Sequence, residues 1–223
     1  MSAPEEQVTL RLYERWAESY PPVPHNPLMR AEEEVMRALC PPLGGRHVLD
    51  LACGSGRYAR LAAAAGAASV LALDRSPQML RQVAGAAAVQ GSMLRLPFAG
   101  AKFDVVLCGL AVGHAPDLEA WLGQVARVLA PRGTLVYSDF HPQAVAAGHT
   151  RRFCDANGEE HSVPHHMHGV AAHVHAAAAV GLTVDAVREV RVGMELRETF
   201  PGSPEFYRRW HGLPVVLALR ARK

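Results

Sequence analysis

Two aspartates and a glycine-rich turn are the residues of this sequence whose types and spacing best fit a chemical role. Residues 48–56 read VLDLACGSG, so that an apolar strand ends at Asp50 and a glycine turn opens a helix-like run. Glycines in such a turn let the backbone approach a ligand closely. Twenty residues after Gly54, a second apolar strand ends at Asp74, where a carboxylate can accept hydrogen bonds from ribose hydroxyls. The spacing predicts a site for a small molecule that contains a nucleoside.

The prediction of a nucleoside ligand does not by itself decide the class of protein. Residues 54–59 form the pattern G-x-G-x-x-A, and Asp74 has the spacing of a dinucleotide fingerprint, which would indicate an NAD-dependent oxidoreductase. Asp50 argues against that class, because a carboxylate before the loop would repel a pyrophosphate, whereas it is well placed to serve a cationic group. Helix-like sequence up to residue 45 also precedes the first strand, whereas a dinucleotide domain often begins with its first strand. A further alternative is a protein that binds the cofactor without turnover.

Composition predicts one globular domain and excludes several partners. The chain has 223 residues and a formal net charge of only +2, without a basic block interleaved with aromatic residues, so we expect no nucleic acid partner. No apolar run reaches membrane-spanning length, and the N-terminus lacks a signal-peptide pattern, so we expect no membrane insertion. Four dispersed cysteines without a CxxC pair favour a cytoplasmic protein. A monomer or a homodimer is expected.

Apolar runs and turn signals predict strands and helices in alternation, which indicates a parallel sheet with right-handed crossovers. Two N-terminal amphipathic helices, separated by the proline-rich segment 21–24, precede the sheet. Two late strands lack a helix of comparable length between them and are predicted to form an antiparallel edge pair. The predicted strands are residues 47–51, 70–74, 87–90, 103–108, 134–138, 183–192 and 214–220, and the predicted helices are residues 5–19, 28–39, 58–65, 77–84 and 118–129.

The order of these segments resembles the class I S-adenosylmethionine-dependent methyltransferases, specifically the small-molecule group of the ubiquinone/menaquinone and malonyl-carrier-protein enzymes. VLDLACGSG is similar to motif I of that family, and LALDRSPQML is similar to the second motif. GSMLRLPFAGAKFDVVLCGLAVGH is similar to the third and fourth motifs, and VARVLAPRGTLVYSD to the helix, glycine turn and strand that follow. The resemblance covers roughly residues 8–141. One departure is Ser92, where the family usually has an acidic residue that reaches the adenine amino group.

The resemblance implies a Rossmann-like, doubly wound α/β fold with a mostly parallel seven-stranded sheet and an antiparallel edge pair. It also implies methyl transfer from S-adenosyl-L-methionine to a small organic acceptor, which gives S-adenosylhomocysteine. Asp50, Gly54 and Gly56 would serve the methionyl part, Asp74 the ribose, and Ser92 with Met93 the adenine. The full set of expected cofactor-binding residues is Asp50, Ala52, Gly54, Gly56, Asp74, Arg75, Met79, Ser92, Met93, Cys108 and Leu110.

We expect the single domain, residues 1–223, to divide into four parts. Residues 1–45 form a helical lid and residues 46–140 the cofactor-binding core. Residues 141–180 form an acceptor-side insertion with a helix, and residues 181–223 the C-terminal strands. Within the insertion, residues 151–163 are predicted to form a hairpin that covers the acceptor pocket together with Trp16 and Tyr20. Its arginine pair, Arg151 and Arg152, is interpreted as solvated or ion-paired.

Histidines are crowded into the insertion, where eight of the twelve lie between His141 and His175. We expect His141, His165 and His166 to contact the acceptor, and His173 and His175 to lie on the surface of an alanine-rich helix. A metal site that adds Asp139 or Cys154 was weighed, but the spacing fits no standard signature, so no metal is expected. His114 follows the fourth strand and is either a general base or a loop histidine. The identity of the acceptor and of the methylated atom stays open.

Overall fold

Alternating strands and helices build the fold, as the sequence pattern predicts. The computed structural model describes residues 3–21, 23–24, 26–194 and 204–223 of the chain, except for the side chains of residues 3–5 and 204–206. The helices are α1 (Ala3–Ala17), α2 (Pro27–Leu39), α3 (Arg57–Ala64), α4 (Pro77–Leu80), α5 (Leu118–Val128), α6 (Pro142–Ala146), α7 (Val170–Ala179) and α8 (Pro204–Trp210). The strands are β1 (His47–Leu51), β2 (Ser69–Asp74), β3 (Ala87–Gln90), β4 (Phe103–Cys108), β5 (Leu129–Phe140), β6 (Arg152–Cys154), β7 (Glu160–Ser162), β8 (Thr183–Arg191) and β9 (Pro214–Arg222).

Seven strands form one sheet in the order β3-β2-β1-β4-β5-β9-β8. The first five are parallel, whereas β9 is antiparallel to both β5 and β8. The predicted fold class is therefore confirmed, including the antiparallel pair at the edge. The chain reverses its direction of travel across the sheet between the neighbours β1 and β4, and in open α/β sheets ligands bind beyond the carboxyl ends of strands at such a switch point.

Apolar side chains on both faces of the central strands bury the sheet between its helices. In β1, Val48, Leu49 and Leu51 have no exposed surface, and the two faces of the strand belong to two separate apolar clusters. A strand that is buried on both faces reads as a continuous apolar run, which is why the sequence pattern located it well. Asp50 is the exception in this run, a carboxylate at only 1% exposure.

Several predicted boundaries were wrong. Helix α4 ends at Leu80 rather than residue 84, and its single turn is capped by the hydroxyl of Ser76, which accepts a hydrogen bond from the Met79 amide at 3.2 Å. Strand β5 starts at Leu129 rather than residue 134, because Leu129 already pairs with Phe103 and a register shift follows. The predicted proline break includes Pro22, which lies outside the described residues.

The hairpin predicted in residues 151–163 is confirmed. Strands β6 and β7 pair in antiparallel register to form a separate two-stranded sheet. Its turn is held by Asp155, whose Oδ1 accepts hydrogen bonds from the amides of Asn157 at 2.9 Å and Glu159 at 3.1 Å. In the described part of the chain, every helix is too short or too polar to cross a membrane.

Candidate active-site cavity

A cavity of about 620 Å³ lies beyond the carboxyl ends of the parallel strands, within the usual range for small-molecule sites of roughly 300–1,000 Å³. One end, here called the glycine-turn half, is formed by residues 50–58, 73–79 and 91–94. The other end, here called the lid half, is formed by the α1 residues Tyr13 and Trp16, by residues 109–114 after β4, and by residues 149–154 of the insertion. The cavity therefore joins the predicted cofactor segments to the predicted lid.

Asp50 is the most unusual polar group of the glycine-turn half. Its Oδ2 accepts a hydrogen bond from the Ala59 amide at 2.7 Å, whereas its buried Oδ1 has no hydrogen-bond partner among the described residues. Burial raises the pKa of Asp50 to about 7, although the Ala59 amide and the Arg57 guanidinium both lower it. A buried acceptor without a partner is costly, so Oδ1 is ready to receive a donor or a cation.

The glycine turn leaves room for a ligand at one of its glycines. Gly54 has a φ of +53°, and a Cβ added there would meet nothing within 4 Å, so the backbone faces open space. Gly56 is different, because it caps α3 with a φ of +81° and its added Cβ would lie 3.2 Å from the side chain of Val83. Gly54 therefore lines the cavity, whereas Gly56 packs against Val83 and supplies the left-handed conformation at the start of α3.

Asp74 is fixed beside the same turn by backbone amides. Its Oδ2 accepts a hydrogen bond from the Gly54 amide at 2.8 Å, and its Oδ1 accepts one from the Ser76 amide at 2.9 Å. Burial raises the pKa of Asp74, and these amides act in the opposite direction. Each carboxylate oxygen keeps a further lone pair, so Asp74 is oriented without being saturated.

The far end of the glycine-turn half is an apolar slot with one hydroxyl. Met79 is buried, Met93 and Leu94 line the slot, and Ser92 Oγ accepts a hydrogen bond from the Leu94 amide at 3.2 Å. Its apolar side chains and one hydroxyl are of the kind that contact a heterocycle, but residue 92 is not a carboxylate.

Leu110 is a strained residue between the two halves. Its φ of +53° lies in the left-handed region, which is unfavourable for a residue with a branched side chain. Two polar contacts hold it there, because its amide donates to Ser138 Oγ at 2.9 Å and its carbonyl accepts a hydrogen bond from the Arg151 guanidinium. Ser138 in turn donates to Glu32, a carboxylate with no exposed surface that also receives Tyr58 Oη at 2.7 Å. The loop after β4 is thus held at both the amide and the carbonyl of Leu110.

His114 lines the lid half at the end of a short 3-10 turn, Val112–His114. Its Nε2 lies 2.7 Å from Tyr13 Oη, and its ring meets the Tyr13 ring edge to face. Burial lowers the pKa of His114 well below 6.5, and the positive charge of Arg151 lowers it further. The imidazole is therefore neutral at physiological pH, which is the form that can accept a proton.

Helix α1 and the hairpin meet over the cavity. The rings of Trp16 and Phe153 are stacked, with centroids 4.7 Å apart and an angle of 8° between their planes. At the rim, Arg15 lies 3.6 Å from Asp155, and Ser19 Oγ donates to the Cys154 carbonyl at 3.4 Å. Helix α1 and the hairpin are therefore in contact, and their role as a lid stays a prediction.

The cavity wall includes most of the predicted cofactor residues but not all of them. Asp50, Ala52, Gly54, Asp74, Arg75, Met79, Ser92, Met93 and Leu110 line it. Gly56 and Cys108 do not, because Gly56 packs on Val83 and the Cys108 side chain is buried in the apolar core behind β4. Arg75 lies 2.6 Å from Glu6 of α1, so it links the strand end to the lid.

The predicted acceptor residues separate into two groups. Trp16 and Tyr20 line the cavity, whereas His141, His165 and His166 do not. His141 caps α6 and lies 3.2 Å from Glu189. His165 packs behind Gly113, with its Nε2 3.7 Å from Asp139, and the His166 amide donates to the Gly113 carbonyl at 2.7 Å. These two histidines therefore support the loop that carries His114 instead of facing the cavity.

The surface prediction for the alanine-rich helix was right for His175 and wrong for His173. His173 is 1% exposed and contacts Tyr137 Oη at 3.3 Å, because α7 packs this face against β5. Burial lowers the pKa of His173 to about 4.

Metal-ligand geometry within the described ranges occurs once, in the hairpin turn. Asp155, Glu159 and His161 bring one ligand atom each to within 4.8 Å of one another. Asp155 already contacts His161 at 2.9 Å and Arg15 at 3.6 Å, so hydrogen bonds and a cation account for its charge. These three residues differ from the metal site considered in the sequence analysis, which combined histidines with Asp139 or Cys154.

Sequence reasoning missed three residues of the lid half: Tyr13, His149 and Arg151. Tyr13 joins His114 to Arg151, whose Nη1 donates to Tyr13 Oη at 3.1 Å. Arg151 is only 9% exposed, so of the two interpretations of its arginine pair, solvated or ion-paired, the solvated one was wrong for this residue. The available signal was its position at the start of a hairpin that was itself predicted to cover the pocket.

Comparison with known proteins agrees with this geometry. Residues 49–137 match the family model described as "Methyltransferase domain". Over 108 residues the chain is 39% identical to the demethylmenaquinone methyltransferase of Deinococcus radiodurans, which covers 44% of this chain and 45% of that protein. Over 130 residues it is 33% identical to the malonyl-[acyl-carrier protein] O-methyltransferase of Pectobacterium atrosepticum, which covers 56% and 47%. The chain thus spans less than half the length of these relatives.

Solved structures show the same fold. A crystal structure of an S-adenosylmethionine-dependent methyltransferase from Mesorhizobium loti superposes with a TM-score of 0.72 at 24% identity, covering 86% of this chain and 98% of that one. A complex of DhpI with SAH gives a TM-score of 0.71 at 22% identity, with 100% and 98% covered. The [4+2]-cyclase SpnF also shares the fold, with a TM-score of 0.70 at 15% identity, and the two chains are covered to 98% and 96%.

The glycine turn, both strand-end aspartates and most of β5 lie inside the matched segment. Residues 49–137 thus match a methyltransferase domain, and the chain has the fold of solved S-adenosylmethionine-dependent methyltransferases. Its relatives include a demethylmenaquinone methyltransferase and a malonyl-[acyl-carrier protein] O-methyltransferase, and the similarity to each extends over about half of this chain.

Proposed function

We propose that the protein transfers a methyl group from S-adenosyl-L-methionine to a small organic acceptor and releases S-adenosylhomocysteine. The observation that carries this proposal is Asp50, a residue of the cavity wall whose buried Oδ1 has no hydrogen-bond partner among the described residues. A nucleoside cofactor with a cationic methionyl part would supply the missing charge and donors. A pyrophosphate at the same place would be repelled.

The residues of the glycine-turn half fit this cofactor. In the proposal, Asp50 and the backbone at Gly54 serve the methionyl part, and Asp74 accepts hydrogen bonds from the ribose hydroxyls. The apolar slot at Met79 and Met93 holds the adenine, with Ser92 as its hydrogen-bonding group. Leu110 lies where the loop after β4 would contact the sulfonium end of the cofactor.

The lid half would hold the acceptor and exclude water. When bound, S-adenosylmethionine supplies a methyl carbon that bonds to the acceptor's nucleophilic atom as the carbon–sulfur bond breaks, with the electron pair retained by sulfur. The acceptor loses a proton during this exchange, and we assign its acceptance to the neutral imidazole of His114, which lines the lid half. Trp16 and Phe153 would keep water from the reacting atoms, and their alignment of the acceptor would contribute to the rate.

Two other functions were considered from the sequence, and no observation on the described residues favours either. An NAD-dependent oxidoreductase would have to place a pyrophosphate against Asp50. A cofactor-binding protein without turnover would have no use for a neutral histidine and a covered second chamber. A cytoplasmic location, a monomeric or homodimeric state and the division into lid, core, insertion and C-terminal strands stay predictions.

Isotope transfer tests the proposal directly. The protein is incubated with S-adenosylmethionine that carries a deuterated methyl group and with a panel of small organic acceptors, and the products are examined by mass spectrometry. We expect the label to appear in one acceptor as a methyl group, with an equal amount of S-adenosylhomocysteine. Hydride exchange with a nicotinamide cofactor, or cofactor binding with no label in any acceptor, would contradict the proposal.

A further inference from the structure

Arg151 is a buried cation in the wall of the lid half, and its charge is incompletely balanced. Four arginines line the cavity in the described part of the chain, and three have a carboxylate within 3.1 Å: Arg57 with Glu32, Arg75 with Glu6, and Arg152 with Glu160. The carboxylate nearest to Arg151 is that of Asp139, whose Oδ1 lies 3.9 Å from Nη2, beyond hydrogen-bonding distance.

The surroundings of Asp139 weaken its negative charge further. The residue is 4% exposed, and burial raises its pKa to about 7, although the charge of Arg151 lowers it. Burying a charge without a full counter-charge is expensive, and an anion that entered the cavity would relieve that cost.

The guanidinium is fixed through two of its nitrogens, whereas the third, Nε, has no hydrogen-bond partner among the described residues. Nη2 donates to the Leu110 carbonyl and Nη1 donates to Tyr13 Oη, which holds the group rigidly between the loop after β4 and helix α1. The unpartnered Nε is buried. Arg151 also lies over the Phe140 ring, with its Cζ 4.7 Å from the centroid. A fixed guanidinium with an unused donor is well suited to bind a carboxylate.

Arg151 belongs to the acceptor end of the cavity. Besides Tyr13 of α1, it contacts Leu110 just after β4 and Phe140 at the end of β5, whereas Asp74 lies at the end of β2 and Ser92 just beyond β3. The sheet order puts β1 between these two groups. The negative groups of the cavity therefore lie at one end, and the cation with a free donor lies at the other.

The rest of this chamber is apolar and aromatic. Trp16, Phe140, Phe153, Val192 and Val215 line it, and Trp210 contributes a further ring. His149 also faces it, with a pKa that burial lowers to about 4, so it is an uncharged hydrogen-bonding group at neutral pH. The walls thus combine one cation and a neutral imidazole with a large apolar surface.

We propose that the acceptor is an organic acid with an aromatic or other apolar body, and that Arg151 binds its carboxylate. The proposal rests on the methyltransferase function, because it assigns the lid half to the acceptor. The carboxylate would occupy the Nε side of Arg151, and the apolar body would lie between Trp16, Phe140 and Phe153.

Matched acid and amide probes test this assignment. Tryptophan fluorescence or calorimetry measures the binding of 3-phenylpropionate, indole-3-acetate and their primary amides to the protein saturated with S-adenosylhomocysteine. We expect at least one acid to bind about tenfold or more tightly than its amide, because only the acid forms a charge-assisted contact. Arg151→Gln should abolish this preference, Arg151→Lys should keep part of it, and Arg208→Gln, which removes an exposed arginine charge from α8, should leave it unchanged.

Equal affinity of acid and amide in the parent protein, failure of every acid to bind, or a preference that survives Arg151→Gln would overturn the proposal. The affinity of each variant for S-adenosylhomocysteine is measured first. A parallel loss of that affinity in Arg151→Gln, with a normal melting temperature, would assign Arg151 to the cofactor's own carboxylate and would also overturn it. A parent protein that binds no S-adenosylhomocysteine at all would instead refute the methyltransferase function, so the two failures are distinguishable.

Discussion

The two halves of the cavity are built in different ways. In the glycine-turn half, each group lies at or just beyond the end of a parallel strand: Asp50 near the end of β1, Asp74 at the end of β2 and Ser92 just after β3. In the lid half, the contacts join distant parts of the chain, such as Tyr13 to His114 and Trp16 to Phe153. One half is therefore encoded in short motifs, and the other depends on how α1 and the insertion dock on the sheet.

Under the proposed function, this difference separates recognition of the cofactor from recognition of the acceptor. Strand ends in a parallel sheet have fixed positions, so a few side chains at those ends suit a cofactor of constant structure. A cover made of a helix and a hairpin can change its residues without disturbing the sheet. Variants in the glycine-turn half should therefore change the affinity for the cofactor, whereas variants in the lid half should change turnover.

The largest effect is expected for His114→Ala in the lid half. If His114 accepts the acceptor's proton, turnover should fall by roughly 10²–10⁴-fold. The affinity for S-adenosylhomocysteine, measured by calorimetry, should stay within the error of the parent value. His175→Gln, an exposed histidine on α7, is the matched control. A turnover number within about threefold of the parent would make His114 a structural residue of the loop and leave catalysis to positioning.

Asp74→Ala should change affinity instead of proton transfer. Its loss removes an acceptor for the ribose hydroxyls and also frees the Gly54 amide, so cofactor affinity should fall by on the order of 1.5–3 kcal/mol. Calorimetry with S-adenosylhomocysteine measures the loss, and circular dichroism should show an intact fold. Asp185→Ala, which removes a surface carboxylate paired with Arg220, is the control. Unchanged affinity in Asp74→Ala would show that the ribose lies elsewhere.

The free energy of unfolding should change with pH in opposite directions at two buried residues, His173 and Asp50. The folded-state pKa of His173, about 4, lies below its unfolded value, so its contribution is complete above pH 6.5 and is lost as the pH falls toward 4. Between pH 7 and 5 this amounts to about 1–2 kcal/mol. The folded-state pKa of Asp50, about 7, lies above its unfolded value, so stability is lost as the pH rises from 3.8 through 7.

Urea unfolding across this pH range checks both signs. His173→Gln should reduce the loss of stability on the acid side, and Asp50→Asn should reduce the loss on the neutral side. His175→Gln on the same helix serves as the histidine control. Identical pH profiles for His173→Gln and the parent protein would refute the buried, neutral state assigned to His173.

The smallest effect is expected for Ser92→Asp in the adenine slot. A carboxylate there would accept a hydrogen bond from the adenine amino group that the Ser92 hydroxyl serves only weakly, so the affinity for S-adenosylhomocysteine should rise by about 0.5–1.5 kcal/mol. The same substitution should leave the affinity for adenine-free probes of the lid half unchanged. A decrease in cofactor affinity would mean that the adenine does not reach residue 92.

The sequence predicted the sheet and the glycine-turn half well because both depend on local patterns. Continuous apolar runs mark strands that are buried on both faces, and Asp50 and Asp74 end two of these runs. Arg151 and Tyr13 were missed because only tertiary docking brings them together. His173 was misplaced because an alanine-rich helix carries too little polarity contrast to show which face packs on β5. His165 and His166 were expected at the acceptor, yet they support the Gly113 loop, a role that no spacing rule reveals.

The most direct test of the account is calorimetric titration of the protein with S-adenosylhomocysteine and, separately, with NAD. The account predicts micromolar binding of S-adenosylhomocysteine, a free energy of roughly −8 kcal/mol, and no measurable binding of NAD. Binding of NAD without binding of S-adenosylhomocysteine would contradict the assignment of the cavity.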